Sequence, residues 1–231
     1  MADDDDVVTA GARGAGRCIL GQPRLPEHPV NPLPVTLSGR FVRLVPLSVE
    51  HIEPMFAAAS DQDLWRWTTT QIASIDDMRA YVETALAAQK EGTALPFATL
   101  DAQTGEIIGS TRFANIDRAN RRVEIGWTWL RRDRQRTSCN TEAKYLMLSH
   151  AFDRLGCIRV ELKTDALNER SRAAIRRIGA VEEGILRAHM VTASGRLRDT
   201  VYYSVLNSEW PAVRARLEEL LGRDAPVATR G

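Results

Sequence analysis

Cysteine is scarce in this chain: 231 residues include three, Cys18, Cys139 and Cys157, an odd number with no C-x-x-C pair and no zinc spacing toward the four scattered histidines. That pattern excludes a disulfide framework, and it predicts a reduced, cytoplasmic protein with no bound metal. A net charge of one sign is missing as well, because 31 Lys and Arg face 30 Asp and Glu, for a formal +1. Neither nucleic acid nor membrane is therefore expected as a partner. No apolar run approaches the roughly 20 residues that cross a bilayer. The start, Met1 followed by Asp3 to Asp6, is acidic where a signal peptide is basic. Lysine is rare, with only Lys90, Lys144 and Lys163 among the 31 basic residues. The excess of arginine reads more simply as coding bias than as a site.

What is there is an ordinary globular composition, 44% hydrophobic and 26% charged. Residues 1–34 join the Asp run, the Gly-rich patch T-A-G-A-R-G-A-G and five prolines between Pro23 and Pro34, and so predict a flexible leader. One domain is expected over 35–222, followed by a disordered tail at 223–231.

From Val35, V-T-L-S-G-R-F-V-R-L-V-P-L alternates as a half-buried strand with a tight turn at Ser38 and Gly39. Ser48 is expected to cap a helix through Ala59, and Ser74 a second one to about Gln89, with Ile75, Met78, Val82 and Leu86 on one stripe. Three strands follow: P-F-A-T-L, E-I-I-G-S-T-R-F and V-E-I-G-W-T-W-L. T-E-A-K-Y-L-M-L-S-H-A-F-D-R-L-G predicts a helix that is apolar almost all round, stopped at Gly156. The strand C-I-R-V-E-L-K-T, a helix capped by Asn168 and ended by Gly179, a hairpin about A-S-G-R and a helix from Ser208 to Leu221 complete an α+β order with a mixed sheet.

The junction from Leu130 to Ala143 carries the chemistry. There a strand passes through an arginine-bearing loop into the N-terminus of a buried helix, where free N–H groups and the helix dipole attract anions. Asn140 or Thr141 can cap that helix locally, and Arg132, Arg134 and Arg136 either converge on an anion or form a solvated face.

W-L-R-R-D-R-Q-R-T-S-C-N-T-E-A resembles the pyrophosphate loop of the GNAT superfamily of N-acetyltransferases, in particular the RimJ/RimL-type branch that acetylates ribosomal-protein N-termini. V-E-I-G-W before it and T-D-A-L-N-E-R-S-R-A-A-I-R-R-I-G-A after it are similar to the family's segments in the same order, over about residues 36–210. The resemblance implies a mostly antiparallel sheet splayed at two central parallel strands, flanked by helices, with acetyl-CoA as cosubstrate in the opening. The pantetheine arm would meet backbone at Trp129, Leu130 and Arg132. The pyrophosphate would be held by Gln135, Arg136, Thr137, Ser138, Cys139, Asn140 and Thr141, and Asn168 would hold the cofactor arm. Two loop residues depart from the family pattern: Ser138 stands where glycine is usual, and Asn140 where glycine or alanine is usual. Glycine serves where backbone takes positive φ or approaches phosphate closely, so a reshaped CoA site is expected.

An amine must lose its proton before attacking a thioester. By resemblance Glu124 is the base, and alternation puts it on one face with Gly126. The other reading of Glu124 is an ion pair with Arg122 or a neighbouring strand. Many relatives protonate the leaving thiolate from a tyrosine where Ile175 stands here, and Ser171 is the expected substitute. Trp65, Trp67, Trp127 and Trp129 either line an acceptor groove or belong to the core. His189 and Asp199 either face the acceptor or lie on the surface. The acceptor is a primary amine, on a peptide N-terminus or a small molecule. A catalytically silent acyl-CoA-binding or protein-interaction module of the same fold is the alternative, and the oligomeric state is open, a homodimer included.

Overall fold

The computed structural model describes residues 30–223, so the expected leader and tail fall almost wholly outside the described residues. Strands β1 (Leu37–Ser38) and β2 (Val42–Pro46) pair antiparallel about the turn at Gly39. Ser48 opens a 3-10 turn, Val49–His51, that runs on into α1 (Ile52–Ala58). Helix α2 (Ile75–Lys90) starts on a reciprocal cap between Ser74 and Asp77. Strands β3 (Leu95–Asp101), β4 (Ile107–Asp117) and β5 (Arg122–Leu130) form the predicted antiparallel run.

Helix α3 (Ser138–Ser149) widens into a π turn at His150–Arg154, and the chain leaves it through Gly156 at φ +63°. Strand β6 (Arg159–Asp165), helix α4 (Glu169–Arg177), the hairpin β7 (Val181–Val191) and β8 (Leu197–Leu206), and helix α5 (Trp210–Arg223) follow. The eight strands lie in the order β1-β2-β3-β4-β5-β6-β8-β7, and every neighbouring pair is antiparallel except β5 with β6.

Strand alternation divides the apolar side chains between two faces. Leu95 and Phe97 join a core with Met147 and Leu148 of α3 and Trp210 and Leu217 of α5. Ala98 and Leu100 join the other, with Met55 of α1 and Met78 and Val82 of α2. Helix α3 is buried on several sides, as its sequence predicted, and it follows the end of β5 through the loop at 131–137.

Candidate active site

The parallel pair β5/β6 is short. Arg122 faces Arg159, Val123 faces Val160, Glu124 faces Glu161, and the pairing ends there. Beyond that point a bulge turns β5 away. Arg112 faces Gly126 and Ser110 faces Trp129, so that Trp127 and Thr128 together oppose Thr111 alone. Trp127 takes φ +49°, a conformation bulky residues rarely adopt. Residues 125–130 therefore have no strand partner on the β6 side among the described residues, and the two strands open as a wedge with Glu124 at its apex.

Glu124 is buried, and its Oε2 lies 2.7 Å from Nζ of Lys163 on β6. Asn115 Nδ2 donates to the same oxygen at 2.6 Å, from a left-handed backbone (φ +48°) at a second irregularity in β4. Burial acts to lower the Lys163 pKa, but the hydrogen bond and charge of Glu124, with Tyr202, hold it above the usual lysine value. The ion-pair reading of Glu124 is thus realised across the neighbouring strand. Arg122, the other partner considered, goes to Asp117 and Glu161, each at 3.1 Å. A Cβ on Gly126 would lie 3.0 Å from Glu124 Oε1, so the two share a face as alternation predicted.

The loop differs from expectation in three respects. The cap of α3 is neither Asn140 nor Thr141 but Thr137, whose hydroxyl accepts from the Cys139 N–H at 3.3 Å, so the helix starts three residues before Thr141. The left-handed residue is Arg136 (φ +62°), while Ser138 and Asn140 lie inside the first helical turn. The three arginines do not converge: Arg132 pairs with Asp61 at 3.2 Å and Arg134 with Asp101 at 3.1 Å, leaving Arg136 exposed in the loop. Thr141 is buried and its hydroxyl accepts from Arg177 at 2.6 Å, so only its backbone is available to a ligand. Gln135 donates through Nε2 to the Leu130 carbonyl at 2.8 Å and ties the loop to the strand. Burial raises the Cys139 thiol pKa, which makes it a packing residue rather than a nucleophile.

Asn168 caps α4 by accepting the Ser171 N–H at 3.0 Å, which leaves its Nδ2 for other work and places the Ser171 hydroxyl in the first turn. The tryptophans divide. Trp65 and Trp129 are core, 5.7 Å apart between ring centroids, so Trp129 can offer a cofactor only backbone. Trp127 is 44% exposed beside the bulge. Trp67 lies between Arg66 and Arg196, whose guanidinium carbons are 4.9 and 5.6 Å from its ring. His189 is exposed and packs edge-on against Tyr202, and Asp199 accepts from the Ala188 N–H at 2.7 Å.

Sequence reasoning missed four supports. Glu142 accepts from the N–H groups of Arg40, Phe41 and Val42 at 2.8, 2.6 and 2.8 Å and locks α3 onto the β1–β2 turn. Lys144 is buried with Nζ 2.7 Å from Thr128 Oγ1, and burial pushes it down to about 7. Lys163 and Arg112 complete the set. The scarcity of lysine was a usable signal, since two of the three lysines prove to be buried or half-buried here.

A mostly antiparallel sheet, opened at one parallel pair beside the N-terminus of a buried helix, defines the GNAT class of fold. The family model described as Acetyltransferase (GNAT) domain matches residues 42–181, more than half of the chain. The chain belongs to this family. It is 36% identical over 106 residues to a Bacillus subtilis (strain 168) protein provisionally named ribosomal N-acetyltransferase YdaF; the alignment covers 46% of this chain and 57% of that protein. A GCN5-related N-acetyltransferase from Brucella melitensis superposes with TM-score 0.77 at 34% identity, over 85% of this chain and 88% of that one. Mycobacterium smegmatis RimJ, solved in complex with CoA-disulfide, shares the fold with TM-score 0.73 at 24% identity, over 85% of this chain and 98% of that one. Among the described residues no helix is long and apolar enough to cross a membrane.

Proposed function

We propose that this chain, an N-acetyltransferase by family, acetylates a primary amine by direct attack within a ternary complex, in the cytoplasm, through one domain spanning residues 35–222. The observation that carries this reading is the wedge between β5 and β6, with Glu124 at its apex and the start of α3 beside its mouth. Acetyl-CoA supplies an activated acetyl group when bound. The residues present suit it: the first turn of α3 offers N–H donors to a pyrophosphate, Arg136 adds an exposed cation, and the open edge of β5 offers backbone to a pantetheine arm.

In this reading Glu124 removes the amine proton through Oε1, because Lys163 and Asn115 both hold Oε2 and leave the lone pairs of the other oxygen for the amine. Strand N–H groups near Leu130 stabilise the developing oxyanion. The Ser171 hydroxyl donates a hydrogen bond to the leaving thiolate, which takes its proton from solvent as CoA departs, and Asn168 Nδ2 holds the cofactor arm. The names of relatives favour a protein N-terminal α-amine as acceptor, with a small-molecule amine as the other class. Calorimetry with acetyl-CoA, followed by thiol-release assays over peptides and small amines, tests the proposal. Tight binding with turnover on one class supports it. Absence of binding overturns it, and binding without turnover on any amine points to a silent acyl-CoA module.

A further inference from the structure

Arg112 sits where a buried cation needs an explanation. It is 5% exposed, and among the described residues no carboxylate pairs with it and its Nε has no hydrogen-bond partner. Arg134 and Arg214 also leave Nε without a hydrogen bond, but each has a carboxylate, Asp101 and Asp153, and Arg159 has Glu161 and Glu183. What surrounds Arg112 is aromatic: its guanidinium carbon is 5.0 Å from the ring centroids of both Tyr81 on α2 and Trp127 on the bulge. Aromatic faces offset part of the desolvation of a guanidinium but leave its N–H groups unfilled.

Arg112 lines a pocket of about 260 Å³, together with Tyr81, Trp127, Thr70, Gln71 and Thr84. The bulge builds this pocket, since the inserted residue and its positive φ place Trp127 beside Arg112, the register partner of Gly126. Asp77 also lines it, but one of its oxygens already accepts from the N–H groups of Ala73 and Ser74 and the Ser74 hydroxyl, at 2.9, 2.8 and 2.9 Å. These bonds hold its pKa below the usual carboxylate value and tie the side chain to the start of α2.

We propose that this pocket binds a carboxylate carried by the acceptor, with Arg112 as the recognising cation, so that the enzyme selects amines bearing an acidic group. The proposal rests on the acetyltransferase reading and deepens it. Trp127 is three residues past Glu124, and at no more than ~3.3 Å per residue the pocket lies within about 10 Å of the base along β5. That separation suits an acidic side chain next to a peptide N-terminus better than the carboxylate of a free α-amino acid. A guanidinium fork matches a carboxylate through two parallel N–H bonds, and the neighbouring threonine hydroxyls add donors.

The test compares two peptides that differ only at the second residue, Ala-Glu-Ala-Ala and Ala-Gln-Ala-Ala, by kcat/KM. The wild type is expected to prefer the acidic peptide by about tenfold or more, the size of a charge-assisted contact. Arg112→Gln should bring that ratio to about one, and Arg112→Lys to an intermediate value. Thr84→Glu, at an exposed helix position, places a carboxylate in the pocket and should also erase the preference; it serves if Arg112→Gln fails to fold. Equal rates with the two peptides in the wild type, or a preference that survives both variants, overturns the proposal. If no amine is acetylated at all, the acetyltransferase reading fails separately. Titration of Ala-Glu-Ala-Ala against the wild type and Thr84→Glu by NMR then decides the pocket: binding lost in the variant sustains it, and no binding to the wild type ends it.

Discussion

Glu124 Oε2 and Lys163 Nζ meet at 2.7 Å across β5 and β6, from the last paired residue of β5 to a residue two past the last pair on β6. This contact joins the candidate base to the geometry that opens the site. Removing the carboxylate should therefore be visible in rate and in stability. Glu124→Gln is expected to lower kcat by about 100-fold or more, the usual contribution of a positioned base, with the largest deficit at low pH, where unprotonated amine is scarcest. Thiol release measured from pH 6 to 9 checks this, and a small, pH-independent change would assign Glu124 a purely structural role. The lysine side has its own sign. Its folded pKa is raised, so the pair stabilises the fold below the unfolded lysine value of ~10.4 and the gain is lost as pH rises through the folded value. Alkaline unfolding should consequently begin at lower pH in Glu124→Gln than in the wild type.

Lys144 behaves in the opposite way. Burial alone pushes it down to about 7, with a hydroxyl and no carboxylate against its nitrogen. Between about pH 7 and ~10.4 only the unfolded chain holds this proton, so stability rises with pH across that window and is flat below it. Lys144→Met removes the penalty. It should stabilise the protein at pH 7 by on the order of 4 kcal/mol and flatten the pH slope, as read by urea unfolding at pH 6, 7 and 9. Thr128 keeps a partner in the variant, since its hydroxyl also meets Thr111 at 2.8 Å. A variant less stable than the wild type at pH 7 would show that the lysine stem contributes more through packing than its charge costs.

Gly39 is required by a carboxylate rather than by its backbone angle. A Cβ there would lie 2.3 Å from Glu142 Cδ, whose oxygens accept three consecutive N–H groups. Gly39→Ala is expected to displace Glu142 and cost about 2–4 kcal/mol, the scale of charge-assisted bonds lost at a buried acceptor. Thermal unfolding measures it. Glu142→Gln, which keeps the shape but loses the charge, should fall between that variant and the wild type.

The phosphate loop separates two substitutions that look alike in sequence. Because Arg136 holds the left-handed angle, Arg136→Gly should relieve about 1 kcal/mol of backbone strain while weakening acetyl-CoA binding about 3- to 10-fold through the lost exposed cation. Ser138→Gly, in a helical residue, should leave the acetyl-CoA Kd within about threefold, because the N–H proposed to meet phosphate is retained. Calorimetry distinguishes the two. A large loss at Ser138→Gly would show that the serine hydroxyl is itself a phosphate ligand.

Periodicity and punctuation made most of the fold legible. Alternation located the strands on either side of the D-A-Q-T-G and D-R-A-N-R-R turns, Ser74 and Asn168 marked helix starts, and Gly156 and Gly179 marked helix ends. These signals are local, depending on residues within a few positions of one another. The resemblance of the loop then supplied the topology, including the parallel pair. What no local signal contains is which side chains meet across the sheet. The register of β5 on β6 decides that Glu124 faces Lys163 rather than Arg122, and the bulge that skips a residue opposite Thr111 decides that Trp127 lies beside Arg112. The pairing of Arg132 and Arg134 with Asp61 and Asp101 is likewise a contact between distant segments, whereas the cap at Thr137 is local and three nearby candidates, Thr137, Asn140 and Thr141, competed for it in the sequence. The sequence by itself thus determined the order of elements, the helix terminus suited to an anion and the identity of the candidate base. Only the tertiary structure decided which charges are neutralised by the fold and which, like Arg112, have no carboxylate among the described residues, because ion pairing depends on distances that chain order does not specify.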